Sequence, residues 1–167
     1  MTWAPRNAES SSPGHNPQNS PPGTQPGEFT TKDTKDTRVV QPIPRELDRI
    51  ARVAVNAAIK VHTALGPGLL ESVYEACLAY ELEKAGISVQ RQVVFPVIYD
   101  GVQIDAGLRL DLLLNNQVII EIKAVEKMMP IFDAQLLTYL KLSGRRLGLL
   151  MNFNVTAMRD GIKRIAL

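Results

Sequence analysis

Two segments that are mostly aliphatic contain charged residues. Asp111 interrupts the run 108–114, and Glu121 and Lys123 interrupt the run 118–123. A charge in the middle of a central strand costs free energy unless it is paired or binds a metal ion. Because Glu121 and Lys123 are two residues apart, a strand presents both side chains on the same face. If Asp111 joins them, two close carboxylates form a site suited to a hard divalent cation.

The turn between these two segments decides whether the carboxylates meet. A two-residue hairpin loop at Asn115-Asn116 would put them on opposite faces of the sheet. A loop extended to Gln117 would place Asp111 directly across from Glu121, with side-chain bases about 5 Å apart. A metal site therefore predicts an odd-length turn or a bulge at this point. The alternative is a set of cross-strand salt bridges on a solvent-facing sheet.

The hydrophobic pattern around these residues predicts an α/β domain with the element order ααβββαβ(β). Apolar residues recur at helical spacing in some segments and at alternate positions in others. The predicted helices cover residues 45–65, 71–84 and 130–143. The predicted strands cover residues 89–99, 103–114, 118–125, 147–153 and 162–167. Together these elements give a mixed sheet of four to five strands flanked by helices. Pro96, inside the first strand, predicts an edge position or a bulge.

The first 44 residues differ in composition from the rest of the 167-residue chain. They hold eight of the eleven prolines and few aliphatic residues, so they cannot offset the entropy of ordering by burial. We therefore expect a disordered leader over 1–44 and one domain over 45–167. The single cysteine, Cys77, excludes an internal disulfide and a four-cysteine zinc site. No apolar run is long enough for a membrane span, and a cytoplasmic location without membrane attachment is expected.

Three short motifs resemble those of one enzyme superfamily. Asp111, nine further residues and then Glu121-Ile122-Lys123 resemble the D…(D/E)-x-K signature of the PD-(D/E)xK nucleases. The segment 68–74 reads G-x-x-E-x-x-Y, which is similar to the motif that names the GxxExxY proteins of that superfamily. The segment 135–139 resembles the Q-x-x-x-Y element of its RecB-like nucleases. The predicted order of elements is similar to the restriction-endonuclease-like core that these proteins share.

The resemblance implies metal-dependent hydrolysis of phosphodiester bonds, in DNA more than in RNA. The implied catalytic residues are Glu71, Asp111, Glu121 and Lys123. The implied ligands of Mg²⁺ or Mn²⁺ are Glu71, Asp111, Glu121 and the main-chain carbonyl of Ile122. Lys123 would orient the attacking water or stabilise charge that develops on the phosphate.

Further residues of these motifs would support the site or contact the substrate strand: Tyr74, Gln135 and Tyr139. Helical spacing places Glu71, Tyr74 and Glu75 on one helix face, where they would border one cleft. The protein would act on nucleic acid as a homodimer or with a partner. Two alternatives stay open on the same fold: a catalytically inactive nucleic-acid-binding module, and a protein-interaction module whose charged patch is only a salt-bridge network. The net charge of +2 excludes binding of nucleic acid by bulk charge alone.

Overall fold

The computed structural model describes residues 42–167, apart from the side chains of residues 105 and 106. The leader expected over 1–44 lies outside the described residues except for its last three. The helices are α1 (Arg45–Leu65), α2 (Glu71–Lys84) and α3 (Pro130–Ser143). The strands are β1 (Val89–Tyr99), β2 (Val102–Leu114), β3 (Val118–Lys123), β4 (Leu147–Asn152) and β5 (Ile162–Ala166). The predicted element order is confirmed, and a short 3-10 helix at Met158–Gly161 that was not predicted precedes β5.

The five strands form one mixed sheet in the order β1-β2-β3-β4-β5. All neighbouring pairs are antiparallel except β3 and β4, which are parallel and are therefore joined by a crossover through α3. One apolar core lies between the sheet and α1 and α2, and a second lies between the sheet and α3. β4 is buried along its whole length, as expected for a central strand covered by helices on both faces. The predicted α/β class is confirmed.

Glycine and proline set the boundaries of the helices. Gly68, in the turn between α1 and α2, has a φ of 101°, which a residue with a side chain adopts only with strain. Pro130 begins α3, where its missing N–H has no helical partner to lose. Gly144 ends α3 in the left-handed conformation. No helix among residues 42–167 combines the length and the apolar character needed to cross a membrane.

β1 and β2 form a long hairpin, most of which extends beyond β3. β2 has 13 residues, but only Leu112, Leu113 and Leu114 pair with β3. Pro96 lies on the edge strand β1, at a shift in register between Phe95 and Val97. Both features predicted for this proline are therefore present. Asp111 lies at the base of this hairpin, at the point where β2 separates from β3.

Candidate active site

The turn between β2 and β3 sets the register on which the predicted site depends. Its two asparagines have φ values of 47° and 56°, a conformation that asparagine tolerates better than most residues. Gln117 is the third turn residue, and its N–H donates to the carbonyl of Leu114. Leu114 then pairs with Val118, and the pairing runs to Leu112 with Ile120, which is the register in which Asp111 would be opposite Glu121 if the pairing continued. The odd-length turn that a metal site requires is present.

The strands β2 and β3 separate at Asp111. The last residue pair between them is Leu112 with Ile120. Beyond that pair, Oδ2 of Asp111 accepts a hydrogen bond from the N–H of Ile122 at 2.8 Å. The carboxylate therefore satisfies a main-chain donor that would otherwise pair with the neighbouring strand.

The β1–β2 hairpin is irregular at the level of Asp111. Leu110 and Leu113 both pack in the core on the α3 side, although residues three apart in a regular strand point to opposite faces. On β1 the corresponding position is Gln92, which lies between the partners of Leu112 and Leu110. Its φ of 50° is uncommon for a residue with a side chain. Both strands thus depart from regular alternation beside the predicted site.

Glu121 and Lys123 form a buried ion pair. Nζ of Lys123 donates to Oε1 of Glu121 at 2.7 Å, and the two side chains are 12% and 3% exposed respectively. Nζ also lies 5.2 Å from the centre of the Phe132 ring on α3, within the range of a cation–π contact. This burial excludes a solvent-facing salt bridge. The second carboxylate oxygen of Glu121, Oε2, is buried and has no hydrogen-bond partner in the described part of the chain.

Burial and neighbouring charges change the proton affinities of these groups. Burial, followed by the charge of Asp111, raises the pKa of Glu121 from 4.5 to about 7. Burial also raises the pKa of Asp111, although the hydrogen bond from Ile122 opposes that shift. For Lys123, burial favours a lower pKa, but the bond to Glu121 and the nearby carboxylates outweigh it and the pKa is raised. A bound cation would favour the charged form of both carboxylates.

Glu71, the first residue of α2, lies beside the end of β3. Its Oε1 accepts a hydrogen bond from the N–H of Ala124 at 3.2 Å. The negative charge of Glu71 also helps to raise the pKa values of Asp111 and Glu121, but it is the smallest of the causes for each. Among residues 42–167, however, no three Asp, Glu, His or Cys side chains lie close enough together to hold one ion. Asp111, Glu121 and Glu71 are each hydrogen-bonded to a different protein group, and their joint binding of one ion stays a prediction.

Tyr74 supports the loop before α2 and does not border the cleft, which corrects the expectation from helical spacing. The side chain is fully buried and stacks on Phe153 at 4.4 Å between ring centres. Its hydroxyl donates to the carbonyl of Gly66 at 2.7 Å and accepts from the N–H of Leu69 at 3.1 Å. Tyr74 therefore fixes the loop that leads into Glu71, and its contact with a substrate strand is excluded by burial.

Gln135 and Tyr139 lie on one face of α3, as the spacing predicts. Nε2 of Gln135 donates to the Tyr139 hydroxyl at 2.6 Å, and Tyr139 packs against the core beneath α3. The contact from α3 to the charged residues comes instead from Phe132, which lies over Lys123. Support of the site by Gln135 and Tyr139 stays a prediction.

An open cleft of about 380 Å³ lies between α2 and the base of the hairpin. Asp111 and Glu71 line it together with further residues of α2, β1, β2 and β3: Ser72, Glu75, Arg91, Gln92, Arg109 and Ile122. No role had been assigned to Arg91 or Gln92 from the sequence. The polar run 90–92, within a predicted strand that is otherwise mostly apolar, is the signal in the sequence that marks these residues.

The order of elements and the arrangement of charged residues agree with a comparison of the whole sequence. A family model described as the PD-(D/E)XK nuclease superfamily matches residues 48–165. The chain belongs to the PD-(D/E)XK nuclease superfamily. The match includes Glu71, Asp111, Glu121 and Lys123. Membership of the GxxExxY group within this superfamily stays a prediction.

Solved structures resemble this superfamily member only distantly. The crystal structure of SSO0001 is 21% identical, with a TM-score of 0.43, over 73% of this chain and 58% of that chain. The crystal structure of LHK-Exo in complex with dAMP is 17% identical, with a TM-score of 0.37, over 70% of this chain and 80% of that chain. This chain thus spans about 58% of the length of SSO0001. Among curated proteins there is no match.

Nucleases of the PD-(D/E)XK superfamily generally use divalent metal ions, and the residues of this chain fit such an ion. Oε2 of Glu121 is a buried carboxylate oxygen that lacks a partner among the described residues, and Asp111 lies near enough for its charge to raise the pKa of Glu121. Mg²⁺ in proteins is commonly held by one or two carboxylates, with waters and substrate phosphate as the other ligands. Two carboxylates are therefore sufficient, and a third is not required.

Proposed function

We propose that this chain is a metal-dependent nuclease of the GxxExxY group that hydrolyses phosphodiester bonds in DNA. The observation that carries the proposal is the buried carboxyl group of Glu121, which has one oxygen bonded to Lys123 and the other without a partner among residues 42–167, and which lies near enough to Asp111 for that charge to raise its pKa. A buried polar atom that lacks a partner costs free energy. A cation bound between Glu121 and Asp111 would remove that cost.

Each residue has a distinct part in the proposed reaction. Asp111, Glu121 and the main-chain carbonyl of Ile122 would hold Mg²⁺ or Mn²⁺, and Glu71 would join them on releasing the N–H of Ala124. When bound, the ion polarises the phosphate and lowers the pKa of a bound water. The ammonium group of Lys123 would orient that water or stabilise negative charge on the phosphate.

The remaining parts of the proposal concern substrate and setting. The resemblance of segment 135–139 to the RecB-like element favours DNA over RNA, and Gln135 and Tyr139 would support the site from α3. We place the protein in the cytoplasm, acting as a homodimer or with a partner. The second candidate is a catalytically inactive nucleic-acid-binding module, which is favoured by the finding that no three carboxylates converge among residues 42–167.

The test is a cleavage assay with single-stranded DNA, double-stranded DNA and RNA, each in Mg²⁺, Mn²⁺ or EDTA. We expect metal-dependent cleavage that falls at least about 100-fold in Asp111→Asn, because the variant loses a ligand charge but keeps an oxygen that accepts from Ile122. The Lys123→Ala variant should be similarly impaired. The matched control is Asp48→Asn on α1, whose carboxylate is also hydrogen-bonded, to Arg164, but belongs to no part of the proposed site.

Three outcomes are informative. Cleavage that needs metal and is lost in Asp111→Asn but not in Asp48→Asn supports the nuclease. Binding of nucleic acid without cleavage in any metal supports the inactive module. Cleavage that is equal in all variants contradicts the assignment of the site.

A further inference from the structure

The cleft beside Asp111 contains two arginines as well as its carboxylates. Arg109 lies two residues before Asp111 on β2, and Arg91 lies on the neighbouring strand β1. Both line the cleft, and both are exposed. Within the described residues, Arg109 has no hydrogen-bond or ion-pair partner. A guanidinium group that is unpaired and lies in a cleft is available to an anionic ligand.

Arg91 is oriented by a buried carboxylate that the proposed catalytic reaction does not use. Glu75 is only 6% exposed. Its Oε1 accepts from Nε of Arg91 at 2.9 Å, and its Oε2 accepts from Nε2 of Gln92 at 2.5 Å. Both oxygens are therefore occupied by neighbouring residues of β1. Since a guanidinium group has five N–H donors, Arg91 is held on one edge and keeps its other edge for a ligand.

The charges that line the cleft also identify the kind of ligand. Three carboxylates, those of Glu71, Glu75 and Asp111, face two guanidinium groups, which gives a net charge of −1. A divalent cation at Asp111 would change this to +1. One phosphodiester group, with its single negative charge, would then bring the cleft to neutrality. The ion pair of Glu121 and Lys123 contributes no net charge to this balance when both groups are ionised.

We propose that Arg109 and Arg91 form a phosphate-binding site, which seats one phosphodiester group of a nucleic acid strand beside the metal-binding carboxylates. The proposal rests on the proposed function and adds the groups that hold the substrate strand. Arg109 contacts the phosphate with its free guanidinium group. Arg91 provides a second, fixed set of donors, and Glu75 positions it. The planar donor arrangement of arginine matches the oxygens of a phosphate better than lysine does.

The test measures binding separately from cleavage. Fluorescence anisotropy of a labelled single-stranded oligonucleotide, in Ca²⁺ and in EDTA, gives the dissociation constant of the full chain. We expect Arg109→Ala to bind roughly 10- to 100-fold more weakly in Ca²⁺, as befits the loss of a charge-assisted hydrogen bond. In a plot of the logarithm of the binding constant against the logarithm of the salt concentration, the slope should become less negative by about 0.7. The control is Arg52→Ala, an arginine of α1 that lines a different groove and should bind as the unaltered chain does.

A second measurement identifies the contacted phosphate. Neutral methylphosphonate groups are placed one at a time along the oligonucleotide. At one position, the methylphosphonate should greatly weaken binding to the unaltered chain. The same methylphosphonate should hardly weaken binding to Arg109→Ala, because that variant already lacks the contact between Arg109 and the phosphate. Arg109→Lys should recover part of the affinity.

The outcomes separate this proposal from the proposed function. Equal binding by Arg109→Ala and Arg52→Ala, or additive losses at every methylphosphonate position, would overturn the phosphate site even if the chain cleaves DNA. A chain that shows the expected coupling but no cleavage in any metal keeps the phosphate site and overturns the nuclease. A chain that binds no oligonucleotide with or without metal overturns the phosphate site.

Discussion

The two halves of β3, residues 118–120 and residues 121–123, differ in strand pairing and in composition. Val118, Ile119 and Ile120 pair with β2 on one side and with β4 on the other, and all three are fully buried. Residues 121–123 keep their pairing with β4, but β2 has separated from them. The first half is wholly apolar, whereas the second half carries the ion pair of Glu121 and Lys123.

This difference shows how one short strand serves both stability and chemistry. Where β2 stays paired, main-chain groups satisfy one another and the side chains bury apolar surface. Where β2 leaves, the N–H of Ile122 takes its acceptor from the side chain of Asp111. The loss of a strand pairing is thus what admits a carboxylate to the middle of the sheet. Substitutions in the two halves should accordingly separate stability from activity.

Removal of side-chain volume from the apolar half has the largest expected effect on stability. Ile120→Ala should lower the free energy of unfolding by about 2–5 kcal/mol, because it leaves a cavity in a closely packed core. Chemical denaturation measures this loss. The cleavage rate per folded molecule should stay close to that of the unaltered chain, because Asp111 and Glu121 keep their places.

Two results would contradict this division. If Ile120→Ala is folded but inactive, the apolar half also controls the geometry of the site. If its stability is unchanged, the core around β3 is less closely packed than the burial of its residues indicates.

Sequence patterns predicted the elements well because each boundary has a local cause. Pro130 and Gly144 fix the ends of α3, and the turn at Asp100-Gly101, where both residues have positive φ, ends β1. The register of β2 against β3 stayed open, because the turn asparagines are compatible with loops of two or three residues. The position of Gln117 in the folded turn decides the register, and that position depends on the pairing of both strands.

Two features of the site depend on tertiary packing and could not be predicted from spacing. Helical periodicity correctly places Glu71 and Tyr74 near one another, but only the packing of α2 against Phe153 determines that Tyr74 is buried. The irregular geometry of β1 and β2 beside Asp111 is not visible in the sequence pattern, so the contacts of Glu75 with Arg91 and Gln92 were missed. Each contact joins elements that are separate in the sequence.

Replacement of Glu121 by glutamine should change how the free energy of unfolding depends on pH. The pKa of Glu121 is about 7 in the folded chain and 4.5 as the ordinary value, so folding favours its protonated form. This contribution is present below pH 4.5 and is lost as the pH rises through about 7. Relative to Glu121→Gln, the unaltered chain should lose about 2 kcal/mol of unfolding free energy between about pH 5 and about pH 8.

Urea denaturation at several pH values, without metal, measures this difference. Ile120→Ala should keep the pH dependence of the unaltered chain despite its lower stability, because its Glu121 is intact. Addition of Mg²⁺ should reduce the pH dependence, since a cation favours the charged carboxylate. Parallel pH profiles for Glu121→Gln and the unaltered chain would contradict the raised pKa of this buried carboxyl group.

The smallest expected effect comes from Tyr74, which acts on the charged half only through the loop before Glu71. Tyr74→Phe keeps the ring that stacks on Phe153 but leaves the carbonyl of Gly66 and the N–H of Leu69 without their partner. We expect a loss of about 1 kcal/mol in unfolding free energy and a cleavage rate lowered roughly threefold, because a looser loop holds Glu71 less firmly. Tyr80→Phe is the matched control, since Tyr80 is 62% exposed on the same helix. If the two variants behave alike, the hydroxyl of Tyr74 does not hold the loop, and the position of Glu71 is set by its own bond to Ala124 instead.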